Sequence, residues 1–367
     1  MKIAVFFTYQ YSISMLIDSG IFDREMKIYK KLNEKFNIDF IFFTYESHTE
    51  NKFTHGGLQF IPLYNFVKFS NNKLLMFLKS LIIPLKIKNI VTDVDIFHQH
   101  QLLGSWVPLL LKALTKKPLI TRTGYDAYDF SIKNNEGFSR IKFYKLLTKI
   151  TLRYSNAYTV TSAADIKFLS SKFKVDSIKL VPNWVEVNHS KLKRYDDRIL
   201  MVGRLEYQKN YQMAIDFMDK SNVELAIDIY GTGSLKEDLQ KTVLNNSLNI
   251  KFLGNINHEE LISIYQQYTY FLSTSEFEGN PKTILEALAN GCIVFAKYNE
   301  NNAEIIHHGE NGYLFSSLNE LIDIFKKEYN QKESQLKNDN SHYLKNNNID
   351  LICKKMYKDY KDLIEFK

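Results

Sequence analysis

The stretch Thr274-Ser-Glu-Phe-Glu-Gly-Asn-Pro-Lys-Thr-Ile-Leu-Glu-Ala-Leu-Ala-Asn-Gly291 follows an apolar run that predicts a buried strand. Pro281 suits the first position of a helix, where its missing N–H costs nothing, and Gly291 predicts the end of that helix. The pattern places Glu278 in the loop and Glu286 about a turn and a half into the helix. Open α/β sheets bind anionic ligands at such a junction, beside the N–H groups of the helix.

Short apolar runs alternate with helical patterns along both halves of the chain. This alternation predicts an α/β fold with a parallel sheet in each half. With 367 residues, 45% hydrophobic and 24% charged, the chain can form two domains that each bury a core. We expect the domains at residues 1–188 and 189–345, and a last helix over 346–367.

The composition excludes several classes of protein. Two cysteines, Cys292 and Cys353, form neither a disulfide framework nor a metal-ligand spacing, which favours a reducing cytoplasm. The chain has no apolar segment of the ~20 residues that a membrane span needs, and its first apolar run is too short for a signal peptide. We expect a cytoplasmic protein, soluble or peripheral at the inner face of the cell membrane.

The 48 Lys and Arg exceed the 41 Asp and Glu, giving a net charge of +7. Residues 66–90 and 140–153 combine lysines with apolar and aromatic residues and contain no acid. Such segments can lie on an anionic membrane, or they can cover a domain and turn a solvated lysine face outwards. We expect an anionic membrane surface, and no nucleic acid, among the partners.

The acidic pair and its surroundings resemble the Glu-x7-Glu signature of the family 4 retaining glycosyltransferases. Glu-x7-Glu alone is common and also fits an ordinary acidic helix start, but Phe277-Glu-Gly-Asn-Pro and Leu285-Glu-Ala-Leu-Ala-Asn-Gly make the match more specific. The resemblance implies the GT-B fold: two Rossmann-like parallel-sheet domains facing a central cleft, the last helix crossing back to the first domain. It is strong over residues 181–315 and looser before them.

The segment Gly203-Arg204-Leu-Glu-Tyr-Gln-Lys209 matches the diphosphate-binding arginine and lysine of that family. A diphosphate needs fixed cations: guanidinium supplies a planar fork and lysine a point charge. Gly203 would let the phosphates approach the backbone closely. The alternative is a pair of solvated cations after a strand.

The resemblance implies further contacts with the donor. Glu278 and the following loop amides would face the donor sugar, and Glu286 would bind the ribose hydroxyls. The remaining donor-site candidates are Gly279, Asn280, Pro281, Gly231 and Gly233. The last two form a Gly-x-Gly beside the expected nucleotide, which alone is weak evidence.

Candidates for acceptor or sugar contacts in the first half are Gly20, His98, His100, Arg122, Tyr125 and Asp126. Gly20 also suits an ordinary turn with positive φ. The histidines end a predicted strand, where they could bind a sugar or stabilise the sheet. Arg122 follows a strand after which many family members place a histidine, and this departure suggests a substrate that carries negative charge.

These features predict a retaining glycosyltransferase that moves a sugar from a nucleotide-diphosphate-sugar to a glycan or lipid-linked acceptor. Family frequency favours a UDP-sugar, and surface polysaccharide, lipopolysaccharide or capsule synthesis is the expected setting. We expect no cofactor and no metal, since cations stand where the phosphates would lie. The alternatives are a non-catalytic nucleotide- or glycan-binding GT-B module at the membrane, and an epimerase or phosphorylase of the same fold.

Overall fold

The computed structural model describes residues 1–187, 193–331, 336 and 340–365. It divides into two compact units. The first comprises Met1–Val181 and Ile352–Lys367, and the second comprises Pro182–Leu351. The boundary that the sequence predicts, between residues 188 and 189, lies outside the described residues.

The described part of the first unit contains an eight-stranded sheet. Its strands are β1 (Lys2–Phe6), β2 (Asp39–Thr44), β3 (Phe53–His55), β4 (Leu58–Pro62), β5 (Ile96–His100), β6 (Leu119–Thr123), β7 (Ala157–Val160) and β8 (Ile178–Leu180). They lie in the order β3-β4-β2-β1-β5-β6-β7-β8. The edge strand β3 pairs antiparallel to β4, and the other pairs are parallel.

Helices cover both faces of this sheet. They are α1 (Ile13–Asp18), α2 (Phe22–Phe36), α3 (Lys73–Ser80), α4 (Ile83–Ile87), α5 (Trp106–Thr115), α6 (Ala127–Lys133), α7 (Phe138–Tyr154) and α8 (Ala163–Phe173). Successive residues of a strand point to opposite faces. Phe43 of β2 therefore joins the core shared by α3, α4, α5 and α7, whereas Phe42 packs against Tyr29 of α2, with ring centroids 5.1 Å apart.

Two neighbouring helices follow β1. The longer one, α2, begins at Phe22, and Asp23 lies in its first turn. The short helix α1 precedes it and was not predicted; its N-cap is Ser12, whose hydroxyl accepts from the N–H of Met15 at 3.1 Å. Residues 66–90 contain two helices, α3 and α4, and Pro84 lies in the first turn of α4, where a helix tolerates proline.

The described part of the second unit contains a six-stranded parallel sheet. Its strands are β9 (Tyr195–Val202), β10 (Ala226–Tyr230), β11 (Ile250–Gly254), β12 (Tyr268–Ser273), β13 (Ile293–Lys297) and β14 (Tyr313–Phe315), in the order β11-β10-β9-β12-β13-β14. Its helices are α9 (Tyr211–Ser221), α10 (Lys236–Asn245), α11 (His258–Tyr265), α12 (Lys282–Ala289), α13 (Glu300–Ala303), α14 (Leu318–Tyr329) and α15 (Ser341–Leu344). Three 3₁₀ turns, at Leu63–Phe66, Tyr207–Lys209 and Lys345–Asn347, complete the described elements.

The core of the second unit explains the apolar run before the acidic pair. Tyr270 and Leu272 of β12 are buried in one core cluster, and Phe271 between them is buried in another on the opposite face. A parallel strand with helices on both faces needs apolar residues at successive positions. The expected α/β architecture with two mainly parallel sheets is confirmed.

The last helix, α16 (Ile349–Glu365), belongs to the first unit from Ile352 onwards. Tyr357 stacks on Phe36 of α2, with ring centroids 4.3 Å apart, and Asp359 pairs with Lys179 at 2.6 Å. Aromatic packing and an ion pair thus attach this helix to the first unit. None of the helices in the described segments is long and apolar enough to cross a membrane.

Candidate active site

The loop after β12 leads directly into α12, as the sequence predicts. Pro281 is the N-cap residue and Lys282 the first helical residue, one position later than expected, a difference within the usual uncertainty of helix ends. Asn290 caps the other end, and Gly291 follows with φ of +76°. Left-handed backbone of this kind favours glycine after a helix.

Lys209 and Glu278 form an ion pair in this loop region. The Nζ of Lys209 lies 2.5 Å from Oε1 of Glu278, and the two side chains are 17% and 9% exposed. A buried carboxylate needs a compensating charge, and the ammonium of Lys209 supplies it to Glu278. Burial first, and then the charge of Glu278, raise the pKa of the neighbouring Tyr211 hydroxyl.

Four hydrogen bonds tie residues 208–210 to residues 274–277. They run from Glu276 N to Gln208 O (2.9 Å), from Gln208 Nε2 to Phe277 O (2.7 Å), from Thr274 Oγ1 to Lys209 O (2.8 Å) and from Asn210 Nδ2 to Glu276 Oε1 (2.5 Å). Lys297 also donates to Oε1 of Glu276, at 2.5 Å. We call residues 208–210 and 274–277 the loop clamp. Its bonds hold the backbone around Lys209 and the backbone that leads into Glu278.

The glycines after β10 pack against the backbone of the loop that carries Arg204. A Cβ on Gly231, whose φ is +142°, would lie 2.0 Å from the carbonyl oxygen of Gly203. A Cβ on Gly233 would lie 2.4 Å from the carbonyl oxygen of Leu205. Only glycine fits at these two positions, because real Cβ atoms do not approach backbone oxygens so closely. The Gly-x-Gly therefore supports the Arg204 loop.

Glu206 joins the same two loops through its side chain. Its carboxylate accepts from the N–H and the hydroxyl of Ser234 at 3.0 and 2.7 Å. These bonds, and to a lesser extent the charge of Arg204, lower the pKa of Glu206. Arg204 itself is exposed, and its guanidinium has no hydrogen-bond partner among the described residues.

Glu286 is oriented from α11. Its side chain is only 6% exposed; Oε1 lies 3.1 Å from Nε2 of His258, and Oε2 accepts from the Tyr265 hydroxyl at 3.3 Å. Neither partner was predicted from the sequence. The sequence does show that a helix starts at His258, because Asn257 is a good N-cap residue. It does not show which acidic residue His258 would contact.

Three asparagines fix the rest of the acidic loop. Asn183 donates from its backbone N–H to Oδ1 of Asn280 at 2.9 Å and from its side chain to the Asn280 carbonyl at 2.6 Å. Asn347 donates to the Asn183 carbonyl at 2.8 Å, and Asn301 donates to the carbonyl of Glu278. Gly279, Asn280 and Pro281 are buried within these contacts. The loop is thus held from three sides.

The parallel sheet brings these segments together because the carboxyl ends of its strands share one edge. The loops after β9, β10 and β12 all leave from that edge. The structure places Lys209 and Glu278 in direct contact, Gly231 against the backbone of Gly203, and Gly233 against the backbone of Leu205. Within the described segments, no three His, Cys, Asp or Glu side chains are grouped to hold a metal ion, and metal independence stays a prediction.

His98, one of the first-unit candidates, is buried in that unit. It is 1% exposed, and its Nδ1 lies 2.6 Å from the Tyr360 hydroxyl of α16. Burial first, and then the charges of His100 and Arg122, lower its pKa, which favours the neutral ring. This contact supports the sheet-stabilising alternative for His98. Gly20 lies in the turn between α1 and α2 with φ of +69°, as a turn glycine would.

His100 and Arg122 lie opposite each other on β5 and β6. The guanidinium of Arg122 donates to the Val181 carbonyl at 2.8 Å, and burial lowers its pKa. His100 is half-buried. Since residues in register share a face, these two side chains lie on the face that carries His98.

Tyr125 and Asp126 begin the next segment. Tyr125 is 39% exposed and packs on Phe130, with ring centroids 4.7 Å apart. Asp126 is fully buried and caps α6 by accepting from the N–H of Asp129 at 2.7 Å. Burial raises the pKa of Asp126 to about 7. Its helix-capping bond gives Asp126 a structural role in the first unit.

The family comparison identifies the second unit. Residues 184–339 match the model of the family "Glycosyl transferases group 1". The expected resemblance to a glycosyltransferase is confirmed over these residues, whereas membership of family 4 stays a prediction.

Three curated bacterial relatives resemble parts of the chain. A peptide N-acetylglucosaminyltransferase GtfA subunit of Streptococcus agalactiae, named for UDP-N-acetylglucosamine, is 28% identical over 44% of this chain and 35% of its own length. The capsular polysaccharide glycosyltransferase CapH of Staphylococcus aureus is 24% identical over 58% and 62%. A Campylobacter jejuni N-acetylgalactosaminyltransferase, named for an undecaprenol-linked glycan, is 26% identical over 51% and 54%. The chain thus spans less than two thirds of each relative.

Solved structures resemble the whole chain in fold. The sucrose-phosphate synthase of Thermosynechococcus elongatus matches all of both chains with a TM-score of 0.79 at 15% identity. Anabaena HepE, in complex with UDP-glucose, matches 99% of this chain and 100% of its own with a TM-score of 0.72 at 14% identity. At these identities the likeness concerns the fold alone, and that fold is GT-B.

Proposed function

We propose that this GT-B protein, whose second unit is a glycosyl transferases group 1 domain, transfers a sugar from a nucleotide-diphosphate-sugar to a glycan or lipid-linked acceptor with retention of anomeric configuration. The observation that carries the proposal is the Lys209–Glu278 ion pair, held at 2.5 Å by the loop clamp at the carboxyl edge of the second sheet. An ammonium and a carboxylate fixed side by side suit a ligand that joins a diphosphate to a neutral sugar.

The chemistry follows from where charge develops. As the bond between the anomeric carbon and the diphosphate breaks, negative charge grows on the β-phosphate oxygen. Lys209 and Arg204 would stabilise that charge, since both lie in the loop that follows β9. The N–H groups at the start of α12 add the positive end of a helix dipole. In this proposal these groups stabilise the charge of the diphosphate, as a metal ion does in other transferases.

Glu278 would orient the donor sugar and offset positive charge at the anomeric carbon. In this proposal the acceptor hydroxyl attacks from the face that the diphosphate leaves, and a phosphate oxygen takes the hydroxyl proton. The new bond then forms on the same face as the broken one, which is retention. Lys209 would exchange part of its contact with Glu278 for the more highly charged diphosphate.

The uridine base and the acceptor class are supported by similar proteins. The GtfA subunit is named for UDP-N-acetylglucosamine, and HepE was solved with UDP-glucose. CapH is named for capsule synthesis, and the Campylobacter enzyme for an undecaprenol-linked acceptor. We therefore propose a UDP-sugar donor and a surface polysaccharide, lipopolysaccharide or capsule glycan as the product, made at the inner face of the cell membrane.

The test starts with donor binding. A panel of nucleotide sugars is screened for thermal stabilisation of the full chain, and the best donor is incubated with a lipid extract and a panel of soluble glycans. Transfer to an acceptor, with the anomeric configuration of the product read by NMR, supports the proposal. An epimerised donor or sugar 1-phosphate would point to the epimerase or phosphorylase alternative, and binding without turnover to the non-catalytic module.

A further inference from the structure

Four helices of the first unit, α3, α4, α5 and α7, pack on the same face of its sheet. Met76, Ile87, Val107 and Leu147, one from each helix, are buried in a single core cluster with Phe6 of β1. Because the inward sides of these helices share one core, their outward sides form one surface. We call the outward sides of α3, α4, α5 and α7 the basic face.

Neighbouring helices of the basic face are in direct contact. Phe77 of α3 packs edge-on against Trp106 of α5, with centroids 5.1 Å apart, and against Phe143 of α7 at 6.2 Å. Lys112 of α5 donates to the carbonyl of Tyr154, the last residue of α7, at 2.5 Å. The surface is therefore continuous across the helices, including α5, which the sequence pattern did not single out.

The basic face exposes apolar side chains on every helix. They include Leu74 (68% exposed), Leu75 (43%), Leu78 (50%), Leu85 (55%), Leu110 (40%), Leu114 (47%), Leu146 (58%) and Ile150 (38%), and Ile82 (48%) is exposed at the N-cap position of α4. Single exposed leucines are ordinary on protein surfaces. A group of exposed leucines and isoleucines on adjacent helices of one face is unusual, and such groups mark docking surfaces.

The charge of the same segments has one sign. Residues 66–90, 106–117 and 138–154 contain 13 of the 48 Lys and Arg and none of the 41 Asp and Glu, which leaves 35 basic against 41 acidic residues elsewhere. The rest of the chain is therefore net acidic. The flanking acids are paired: Glu136 with Arg140 at 3.0 Å, and Asp93 with Lys2. Among the described residues, Lys73, Lys86, Lys145 and Lys149 have no ion-pair partner.

We propose that the basic face docks this protein on an anionic lipid bilayer. Exposed leucines would enter the headgroup region while the lysine stems lie along them and carry their ammonium groups to the phosphates. Attraction to anionic lipids increases with the number of basic residues near the surface and is screened by salt. Two copies facing each other through this surface would bring like charges together, which disfavours a symmetric dimer.

The proposal rests on the proposed function only in that a lipid-linked acceptor would be presented at the same surface. Its test uses the full chain and two kinds of vesicle: an equimolar mixture of phosphatidylglycerol and phosphatidylcholine, and phosphatidylcholine alone. We expect the protein to float with the mixed vesicles at low salt and not with the neutral ones. In ~1 M salt, where the Debye length is about 3 Å, binding should fall steeply.

Matched variants then locate the surface. The triple variant Lys86→Gln, Lys145→Gln, Lys149→Gln should lower the partition coefficient about 100-fold, at roughly fivefold per lysine. The control triple variant changes Lys241, Lys251 and Lys327, exposed lysines of the second unit, to glutamine and should bind vesicles as the unchanged chain does. The variant Leu78→Ser, Leu85→Ser, Leu146→Ser should weaken the binding that survives high salt.

Each outcome has a definite meaning. Equal binding by the two lysine variants, or no binding to either vesicle, would overturn the proposal while leaving nucleotide-sugar binding, measured in parallel, unaffected. Loss of nucleotide binding with vesicle binding intact would instead overturn the proposed function alone. If light scattering showed a dimer that the leucine variant converts to a monomer, the face would belong to a second copy and the lipid proposal would be wrong.

Discussion

The side-chain amide of Asn210 lies 2.5 Å from Oε1 of Glu276, so the residue after Lys209 is bonded to the residue two positions before Glu278. Lys297 donates to the same oxygen at 2.5 Å. The ion pair therefore depends on neighbours that do not themselves have to touch a ligand. Hydrogen bonds between the two loops position Lys209 and Glu278, so the geometry of the ion pair does not depend on the two side chains alone.

Removing the ammonium of Lys209 should abolish most turnover. We expect Lys209→Ala to lower kcat by at least about 100-fold, the usual effect of losing one group that stabilises transition-state charge. Because Glu278 is only 9% exposed, the variant should also lose about 1–3 kcal/mol of stability. The double variant Lys209→Ala, Glu278→Gln should regain stability but not turnover. Near-normal kcat in the folded single variant would contradict the assignment.

Arg204 offers a cleaner separation of catalysis from folding. Its side chain is exposed and has no hydrogen-bond partner in the described part of the chain, so Arg204→Ala should change the unfolding midpoint very little. We expect kcat to fall by about 100-fold or more. The control is Lys220→Ala, an exposed cation of α9, which should leave both quantities unchanged. Equal kcat in the two variants would remove Arg204 from the mechanism.

Glu286 should act mainly in nucleotide binding. Glu286→Ala removes the carboxylate that His258 and Tyr265 orient, and we expect the Kd for the nucleotide, measured by calorimetry, to rise tenfold or more, since buried charged hydrogen bonds are each worth about 1.5–3 kcal/mol. Tyr265→Phe keeps the ring and should give a smaller rise. An unchanged Kd in Glu286→Ala would exclude this role.

Gly231 should be irreplaceable for steric reasons. A Cβ there would meet the Gly203 carbonyl oxygen at 2.0 Å, so Gly231→Ala should cost about 3 kcal/mol or more in urea unfolding and should displace the Arg204 loop. Gly309 is the control, because its φ is +78° but a Cβ would meet nothing within 4 Å. Gly309→Ala should cost about 1–2 kcal/mol, from backbone strain alone. Equal costs would mean that the two loops separate easily.

The buried acids of the first unit predict a pH dependence of stability. Burial raises the pKa of Asp126 to about 7, and burial together with the charge of Asp126 raises that of Asp165 to about 7, from an ordinary 3.8. Asp129, Lys133 and Tyr158 also face this pair. Between these values the unfolded chain releases protons that the folded chain keeps, so the free energy of unfolding falls as pH rises from about 4 to 7.

Asp165→Asn should reduce this loss of stability. We expect its unfolding midpoint to fall less than that of the unchanged chain when the pH is raised from about 5 to 8, because only one carboxyl remains to ionise. The control is Asp219→Asn, at an exposed position of α9, which should keep the original profile. If all three chains gave parallel profiles, the two carboxyls would not be coupled to folding.

Local features of this protein follow from the sequence because they depend on near neighbours. The spacing of Glu278 and Glu286, the helix that starts after Pro281, and the turn at Gly291 all arise within one strand-loop-helix segment. The alternation of apolar runs and helical patterns likewise predicts two parallel sheets, since burial on both faces requires it. The lysines of residues 66–90, and the absence of acids there, are also evident from the sequence alone.

Only the tertiary structure decided which distant residues meet. Lys209 and Glu278 are 69 positions apart, and their contact depends on strand order, which places β9 beside β12. The same holds for His258 facing Glu286, for the Gly-x-Gly packing on the backbone of residues 203–205, and for α5 completing the basic face. Chain spacing specifies the repeat of a helix or strand, but contacts between elements are set by how whole sheets and helices pack, which no single stretch of sequence contains.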